Sequence, residues 1–298
     1  MPRTVTVGLD GSPESLAAAE WAAREAELRA LPLHLVHAWD WQPYAEPVSD
    51  DETRRHWADR VLHKATDRLR HHHPDLELTS EQVREAPTTV LPAAAEEAEP
   101  LVIGSRGLSG IVGYLVGSVA LSVVGQVTRP VVLVRSGARA EDEHQLDPEG
   151  RPSTTTAYRD VVLGLDHEHP DDTVIEFAFE AAARRATTLR VVHGWNLPPY
   201  FAYGLAADPA LTNELNQQEK SAVTEALAPW REKFPGVDVV EQIAIGNAGN
   251  HLVDAARDAS LVVVGRHIRR TPLGTRIGPV THAVLHHAKA PVAVIPHE

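Results

Sequence analysis

A glycine-rich segment in the first half of the chain has the composition of a phosphate-binding loop. Nine residues separate its two parts, which read Gly104-Ser105-Arg106-Gly107 and Gly117-Ser118-Val119. Glycines let backbone N–H groups approach a phosphate without an intervening Cβ. A helix beginning at Gly117 would direct free N–H groups and its positive dipole end at the same place. The Ser118 hydroxyl would add a hydrogen bond and Arg106 a positive charge.

The segment differs from two other familiar nucleotide-binding motifs. The chain contains neither G-x-x-x-x-G-K-[ST] nor G-x-G-x-x-G. A glycine-rich surface loop beside a serine-capped helix is the alternative interpretation, because such loops are common. The elements around the segment therefore have to be considered.

The chain contains a tandem repeat. Val161–Asp166 resembles Val5–Asp10 at an offset of 166 − 10 = 156, and Leu261–Gly265 resembles the run ending at Gly104 at 265 − 104 = 161. The register holds, shifts once by five residues and holds again, which indicates a duplication. We predict two copies of one domain, over residues 1–137 and 158–298, joined by a polar linker over residues 138–157.

Each copy alternates short apolar runs with longer helical patterns. In the first copy we predict strands at Val5–Asp10, Leu33–Trp39, Glu77–Arg84, Leu101–Gly104 and Val131–Arg135. Predicted helices cover Ser15–Ala30, Asp51–Arg70 and about Thr89–Glu99, and a fourth begins at Gly117. Strands that are almost continuously apolar are typical of a parallel sheet buried on both faces. The pattern predicts two tandem doubly wound α/β domains, each with a five-stranded parallel sheet.

In such a sheet a ligand binds beyond the carboxyl ends of the strands, which brings in Asp10 and Ala38. The spacing Gly104-x2-Gly107-x9-Gly117-Ser118 resembles the G-2x-G-9x-G-[S/T] nucleotide motif of the universal stress protein family, in its ATP-binding branch. Asp10, the Leu35–Ala38 run and the closing Arg129–Val134 segment resemble the same family. The resemblance covers nearly all of both copies. It indicates a tandem protein of the actinobacterial type and implies a Rossmann-like, adenine nucleotide α-hydrolase-like fold.

The resemblance implies a binding pocket for ATP, with or without Mg²⁺. Asp10 would meet the adenine or ribose edge, and Leu9 and Ala38 would contact the base. Ile103 and Gly104 would line the sugar side, with Gly8 in the same set. The phosphates would be held by Arg106, Gly107, Gly117, Ser118 and Val119.

The second copy departs from this motif. A weaker site would be formed by the aligned residues Asp166, Gly265 and Gly278, with Arg266 partly compensating for the changes. Ile268 replaces the middle glycine and Pro279 replaces the hydroxyl residue. Isoleucine places a branched side chain where phosphate would lie, and proline has no N–H to donate. We expect ATP to bind the first copy well and the second weakly or not at all.

The resemblance favours a regulatory or protective nucleotide-binding protein of the stress response. A slow ATPase or phosphotransferase using the same pocket is the alternative, and a scaffold without ligand is a third. We assign no catalytic residue, because no clear general base accompanies the phosphate loop. We also assign no metal site: His71–His73 cannot all face one ion on a regular helix, and the pair His282 and His286 lacks an HExxH glutamate.

Composition limits the partners. The 298 residues include 28 basic and 41 acidic side chains, a net charge of −13, which argues against nucleic-acid binding. No apolar run approaches the roughly 20 residues of a membrane span, and a strand-like start leaves no room for a secretory signal, so we expect a cytoplasmic protein. The chain has no cysteine and so no disulfide. Because the family pairs through its last strand, Val131–Val134 and Val292–Ile295 are expected to form an intrachain pseudo-dimer, with a homodimer as the alternative.

Overall fold

The computed structural model describes residues 3–39, 51–105, 116–197, 209–268 and 277–298, with the backbone alone at residues 51–58 and 209. The chain forms two compact units, Met1–Ala140 and Glu141–Glu298. Part of the predicted linker is ordered: a short 3₁₀ helix covers Ala140–Glu143, and an antiparallel bridge joins His144 to Tyr158. The His144 Nδ1 donates to the backbone oxygen of Thr156 over 2.6 Å, and its ring packs on Tyr158.

The first unit is a five-stranded sheet with helices between the strands. Its strands are β1 (Thr4–Leu9), β2 (Leu33–Ala38), β3 (Leu78–Val83), β4 (Ala98–Ser105) and β5 (Val131–Arg135). Its helices are α1 (Pro13–Arg29), α2 (Asp51–His72), α3 (Pro87–Glu96) and α4 (Ser118–Gln126). The strand order is β3-β2-β1-β4-β5 and these neighbours pair in parallel. The predicted fold class is confirmed for this unit.

Local sequence explains the boundaries of the first helix. Ser12 is the N-cap residue of α1 and its hydroxyl accepts from the Ser15 N–H, while Pro13 occupies the first turn. The helix ends at Ala30, which adopts the left-handed conformation with φ 52°. The alanine-rich face between these caps is buried against the sheet.

The largest difference from the predicted elements is at β4. The strand begins at Ala98, three residues before the predicted Leu101. Thr4 pairs with Ala98 and Thr6 with Leu101, so β4 carries one extra residue at this point. Such a bulge accommodates Pro100, which cannot donate to a regular ladder.

The second unit repeats the topology. Its strands are β6 (Val161–Gly164), β7 (Leu189–Trp195), β8 (Val239–Ile245), β9 (Leu261–His267) and β10 (Val292–His297). Its helices are α5 (Asp172–Arg185), α6 (Pro209–Lys233), α7 (Ala248–Ala255) and α8 (Pro279–His287). The strand order is β8-β7-β6-β9-β10, and these neighbours again pair in parallel. Read from the same edge, it matches the order β3-β2-β1-β4-β5 of the first unit.

One element differs in length between the repeats. Helices α1 and α5 end at equivalent positions, because their C-cap residues Ala30 and Ala186 are separated by the offset of 156. The N-cap of α5 is Asp171, three residues beyond the equivalent of Ser12. A loop over residues 166–171 therefore takes the place of the first turn of the helix and of the residues that lead into it.

In each unit the strand order reverses between the first and fourth strands, and ligands of doubly wound sheets bind at the crevice this reversal creates. Among the described residues, no helix is both long enough and apolar enough to cross a membrane.

Candidate functional site

A pocket with a volume of about 230 Å³ lies beyond the carboxyl ends of β1 and β4, where the strand order of the first unit reverses. Nine of the eleven residues predicted for the first site line it: Gly8, Leu9, Asp10, Ala38, Ile103, Gly104, Gly117, Ser118 and Val119. The other two, Arg106 and Gly107, lie outside the described residues. The volume is near the lower end of the ~300–1,000 Å³ common for small-molecule sites.

Asp10 is held in a tight turn at the end of β1. Its Oδ1 accepts hydrogen bonds from the Ser12 N–H, at 2.9 Å, and from the Ser12 hydroxyl. Gly11 has φ 79°, a conformation that a side chain disfavours. The turn therefore positions the carboxylate and the start of α1 together, on the same side of the pocket.

Gly104 is required by close packing. A Cβ at this position would lie 2.6 Å from the carbonyl carbon of Glu14 and 2.7 Å from the Ser15 nitrogen, both backbone atoms. The glycine thus allows the first turn of α1 to lie directly on β4. This contact explains why residues at the start of α1 also line the pocket.

The N-terminus of α4 forms another wall. Gly117 is its N-cap residue, with φ −62° and ψ 152°, and has no side chain with which to cap the helix. The N–H groups of the first turn have no acceptor within the helix, and Ser118, Val119 and Ala120 all line the pocket. Among the residues that the structure describes, no atom lies within 4 Å of the position a Gly117 Cβ would take. The open space, free amides and positive dipole end together suit an anionic group.

The remaining lining is mainly apolar and comes from β2, β4 and α3. Ala38, Leu91 and Ile103 are buried, and Leu91 covers Gly8 so closely that a Cβ there would lie 2.8 Å from its Cδ2. The pocket thus combines an apolar wall with a polar, amide-rich one. This division suits a ligand with a flat apolar part and an anionic part.

Six lining residues were not predicted: Ser12, Glu14, Ser15, Pro87, Leu91 and Ala120. The first three follow from the close approach of α1 to Gly104, a tertiary contact that spacing along the chain does not reveal. Ala120 could have been found, because it belongs to the first turn of a helix whose start was predicted. Pro87 and Leu91 come from α3, and no local signal in the sequence places that helix beside β1.

The equivalent region of the second unit is built differently. Asp166 follows β6 and is exposed, and Gly265 lies at the carboxyl end of neighbouring β9. Here the space over the glycine contains the His297 side chain, whose Nε2 would lie 2.8 Å from a Gly265 Cβ. The Val174 side chain of α5 also lies over this glycine, with Cγ2 3.4 Å from the Cβ position, so here α5 contributes a side chain where α1 places its backbone on Gly104.

The other two predicted residues of the second unit lie on β9 and α8. The Arg266 side chain, equivalent to Ser105 rather than to Arg106, is only 4% exposed. Gly278 is the N-cap residue of α8, and in the described part of the chain nothing lies within 4 Å of its Cβ position, as at Gly117. Pro279 then begins the helix without an N–H, so this helix start offers one donor fewer.

Comparisons with known proteins agree with the repeat and the fold. The profile of the universal stress protein family matches residues 1–135 and again residues 157–296. A universal stress protein of Mycobacterium tuberculosis is 33% identical over 301 residues, covering 97% of this chain and 96% of its own length. One from Mycolicibacterium smegmatis is 29% identical over 304 residues, covering 98% and 96%.

Solved structures show the same architecture. The crystal structure of a universal stress protein from Archaeoglobus fulgidus superposes with a TM-score of 0.69 over 98% of both chains, at 16% identity. That likeness concerns the fold, whereas the profile match and the mycobacterial relatives concern the sequence itself. On this evidence the chain belongs to the universal stress protein family, with one family domain in each of its two repeats.

Proposed function

We propose that the first unit binds ATP in the pocket between β1, β4 and α4, and that the protein has a regulatory or protective role in a stress response. One observation carries the proposal: nine residues chosen from sequence motifs in separate segments of the chain line one pocket at the switch point. Family membership supports the same ligand class.

The charge balance supports binding by local donors. A chain with a net charge of −13 repels a polyanion at long range. The triphosphate would therefore be held by the first-turn amides of α4 and the Ser118 hydroxyl, with Arg106 as the predicted cation. The apolar wall that includes Ala38 and Leu91 would take the adenine.

Asp10 and Glu14 both line the pocket, and their carboxylates would be the protein ligands of a bound Mg²⁺. Magnesium prefers oxygen ligands and is usually held by one or two carboxylates together with substrate phosphates. The ion would also offset repulsion between these carboxylates and the phosphates. We therefore expect ATP to bind more tightly in the presence of Mg²⁺ than in its absence.

Titration calorimetry with ATP and two matched variants tests the proposal. The side chain of Gly117→Leu would extend into open space in front of α4, and its backbone conformation suits any residue. Gly278→Leu makes the same change at the equivalent helix of the second unit. We expect Gly117→Leu to weaken binding at least about tenfold, or ~1.4 kcal/mol, and Gly278→Leu to leave it unchanged. Full-affinity binding to Gly117→Leu would show that the pocket is not the main site.

The same titration addresses the second unit. Because Pro279 removes a donor and His297 covers Gly265, we propose that this unit binds ATP weakly or not at all. The expected stoichiometry is one ATP per chain. Two equivalents of similar affinity would contradict this assignment.

A slow ATPase or phosphotransferase is the second candidate function. Glu14 favours it, because this residue lines the same pocket as the N-terminus of α4 and a carboxylate can orient or deprotonate a nucleophile. Single-turnover measurement with labelled ATP separates the two classes. Turnover faster than minutes that is lost in Glu14→Gln would indicate an enzyme, and ATP that stays intact would indicate a binding protein.

We also propose that the two copies pair within one chain through their last strands, as family resemblance implies. Light scattering after size-exclusion chromatography tests this arrangement. A mass near 32.4 kDa excludes the homodimer alternative, and twice that mass indicates a homodimer.

A further inference from the structure

Two histidines and a glutamate converge in the second unit, outside the proposed ATP pocket. His167 follows β6, His193 lies in β7 and Glu219 lies in α6. The Nε2 atoms of His167 and His193 lie 2.5 and 3.1 Å from the same Oε2 of Glu219. The three atoms all lie within 4.8 Å of one another, and the imidazole centroids are 4.5 Å apart.

The hydrogen bond on the far side of His193 determines which of its nitrogens faces the cluster. Its Nδ1 lies 2.9 Å from the backbone oxygen of Leu165. A carbonyl oxygen can only accept, so Nδ1 carries a proton and, in a neutral imidazole, Nε2 has a lone pair. That lone pair faces the Glu219 carboxylate, and two acceptors at this distance repel each other unless a positive charge lies between them. Either a second proton on His193 or a metal cation satisfies this requirement.

We propose that His167, His193 and Glu219 form a binding site for a divalent transition-metal ion of the Zn²⁺ class. Two imidazoles and one carboxylate are a known ligand set for Zn²⁺, with ligand distances of about 2.0–2.2 Å. Ligand atoms around such an ion are separated by roughly 3–3.5 Å. The 3.1 Å between His193 Nε2 and Oε2 lies in this range, and the 2.5 Å between His167 Nε2 and Oε2 would lengthen when an ion binds. The Leu165 carbonyl supplies the outer-shell contact that usually orients a metal-binding histidine.

The surroundings of the three side chains allow an ion to enter and to be held. The His193 side chain is 9% exposed, whereas His167 is 15% and Glu219 26% exposed, so the cluster is shielded yet open on one side. One carboxylate and two neutral imidazoles offset half the charge of a divalent ion. The helix that carries Glu219 is tied to β7 because Trp195 Nε1 donates to Asn216 Oδ1 at 3.3 Å.

The first unit lacks two of these ligands. At the offset of 156, Gly11 is the equivalent of His167 and His37 that of His193. At the offset of 161 shared by the ends of α2 and α6, the equivalent of Glu219 is Ala58. The loop that replaces the first turn of α5 carries His167 to the cluster. The site is thus specific to the second repeat and independent of the ATP proposal.

Zinc titration of the full chain tests the site. The variants are His167→Gln and Glu219→Gln, which remove one ligand each from partly exposed positions. His169→Gln is the matched control, because His169 lies on the same loop but is 79% exposed and pairs with Asp166, at 3.5 Å. Competition with a chromogenic chelator gives the Zn²⁺ affinity, and substitution by Co²⁺ gives a visible spectrum that reports coordination.

We expect the unaltered chain to bind one Zn²⁺ with micromolar affinity or tighter. Each ligand variant should lose more than the roughly 10–100-fold that removal of an outer-shell partner costs, and His169→Gln should bind as the parent does. Circular dichroism of each variant separates loss of the site from loss of the fold. The proposal would be overturned if the parent did not bind Zn²⁺ in this way, if all variants bound it equally, or if His169→Gln lost binding. In the first case a proton, and not a metal ion, would lie between His193 and Glu219.

Discussion

The imidazole Nδ1 of His37 donates a hydrogen bond to the backbone oxygen of Leu9 over 2.7 Å. The second repeat reproduces the bond between His193 and Leu165. In both units it joins the carboxyl ends of the first two strands, at the edge of the sheet where ligands bind. The first unit places this bond directly beneath pocket residues Leu9 and Ala38, and the second beside the proposed metal ligands.

Replacing His37 by phenylalanine keeps a buried ring but removes the donor to Leu9. We expect the free energy of unfolding of the first unit to fall by about 1–3 kcal/mol, because the carbonyl loses this partner in a buried setting. His34→Phe on the same strand is the control: His34 bonds the Thr79 hydroxyl from a side chain that is 26% exposed, and should lose less than about 1 kcal/mol. Denaturant unfolding measures both variants, and equal losses would contradict a special role for His37.

Three glycine-to-alanine variants should differ in stability, because the atoms that surround the new Cβ differ at the three positions. Gly104→Ala would place a Cβ against the backbone of α1 and should cost about 1–3 kcal/mol. Gly265→Ala meets side chains only, His297 Nε2 at 2.8 Å and Val174 Cγ2 at 3.4 Å, and side chains shift more readily than a helix backbone, so its cost should be smaller. Gly117→Ala meets no atom of the described residues and should be within about 0.5 kcal/mol of the parent. Thermal unfolding gives the order, and a Gly117→Ala loss as large as that of Gly104→Ala would refute this account.

The C-cap alanines offer a stabilising change. Ala30 and Ala186 have φ 52° and 47°, and both are exposed. This left-handed conformation is roughly 1–2 kcal/mol unfavourable for alanine, whereas glycine adopts it readily. Ala186→Gly should therefore raise the free energy of unfolding by about 1 kcal/mol, as should Ala30→Gly.

Exposed Ala183, within α5, provides the matched control for Ala186. Ala183→Gly should lower stability by roughly 0.5–1 kcal/mol, because glycine is a poor helix former. Chemical denaturation of the pair should give changes of opposite sign, and a loss in both would rule out the conformational explanation.

Much of the fold could be predicted from the sequence because its signals are local and occur twice. Apolar β-branched runs and the helical patterns between them predicted most element bounds of the first unit within a few residues. Strand order could not be predicted, because parallel pairing joins segments far apart in the chain. The bulge at Pro100 was missed for the same reason, since it depends on how Thr4 pairs with Ala98.

The same distinction between local signals and tertiary contacts applies to the residues of the two candidate sites. A motif of fixed spacing indicated Gly104 and Gly117, but the packing of Glu14 against Gly104 is a tertiary contact. Glu219 lies 52 residues beyond His167, and no spacing rule connects them. The histidine run lies at the end of α2, where His71 and His72 are exposed, whereas the His73 side chain is 11% exposed and lies 2.8 Å from a Glu27 oxygen, a tertiary contact that the run itself does not reveal.

That histidine belongs to an ion cluster between α1 and the end of α2. Glu20 lies 2.5 Å from Arg68, 3.0 Å from His72 and 3.5 Å from His73. Burial alone would raise the pKa of Glu20, but hydrogen bonds from His73 and Arg68, with the charges of His72 and Arg68, outweigh it and lower the pKa from 4.5 to about 2. The bond to Glu20 raises the pKa of His73 above 6.5 despite burial, and Glu27 adds to the effect.

These shifts determine how the cluster contributes to stability as pH changes. A carboxyl with a lowered pKa stabilises the fold above pH 4.5 and loses that contribution as pH falls toward 2. A histidine with a raised pKa stabilises it below pH 6.5 and loses that contribution as pH rises through the folded value. The cluster should therefore contribute most between pH 4.5 and 6.5. Thermal unfolding should be measured from below pH 4.5 to above pH 6.5. The loss of stability caused by Glu20→Gln should be largest between these values and smaller on either side, and a loss independent of pH would exclude this linkage.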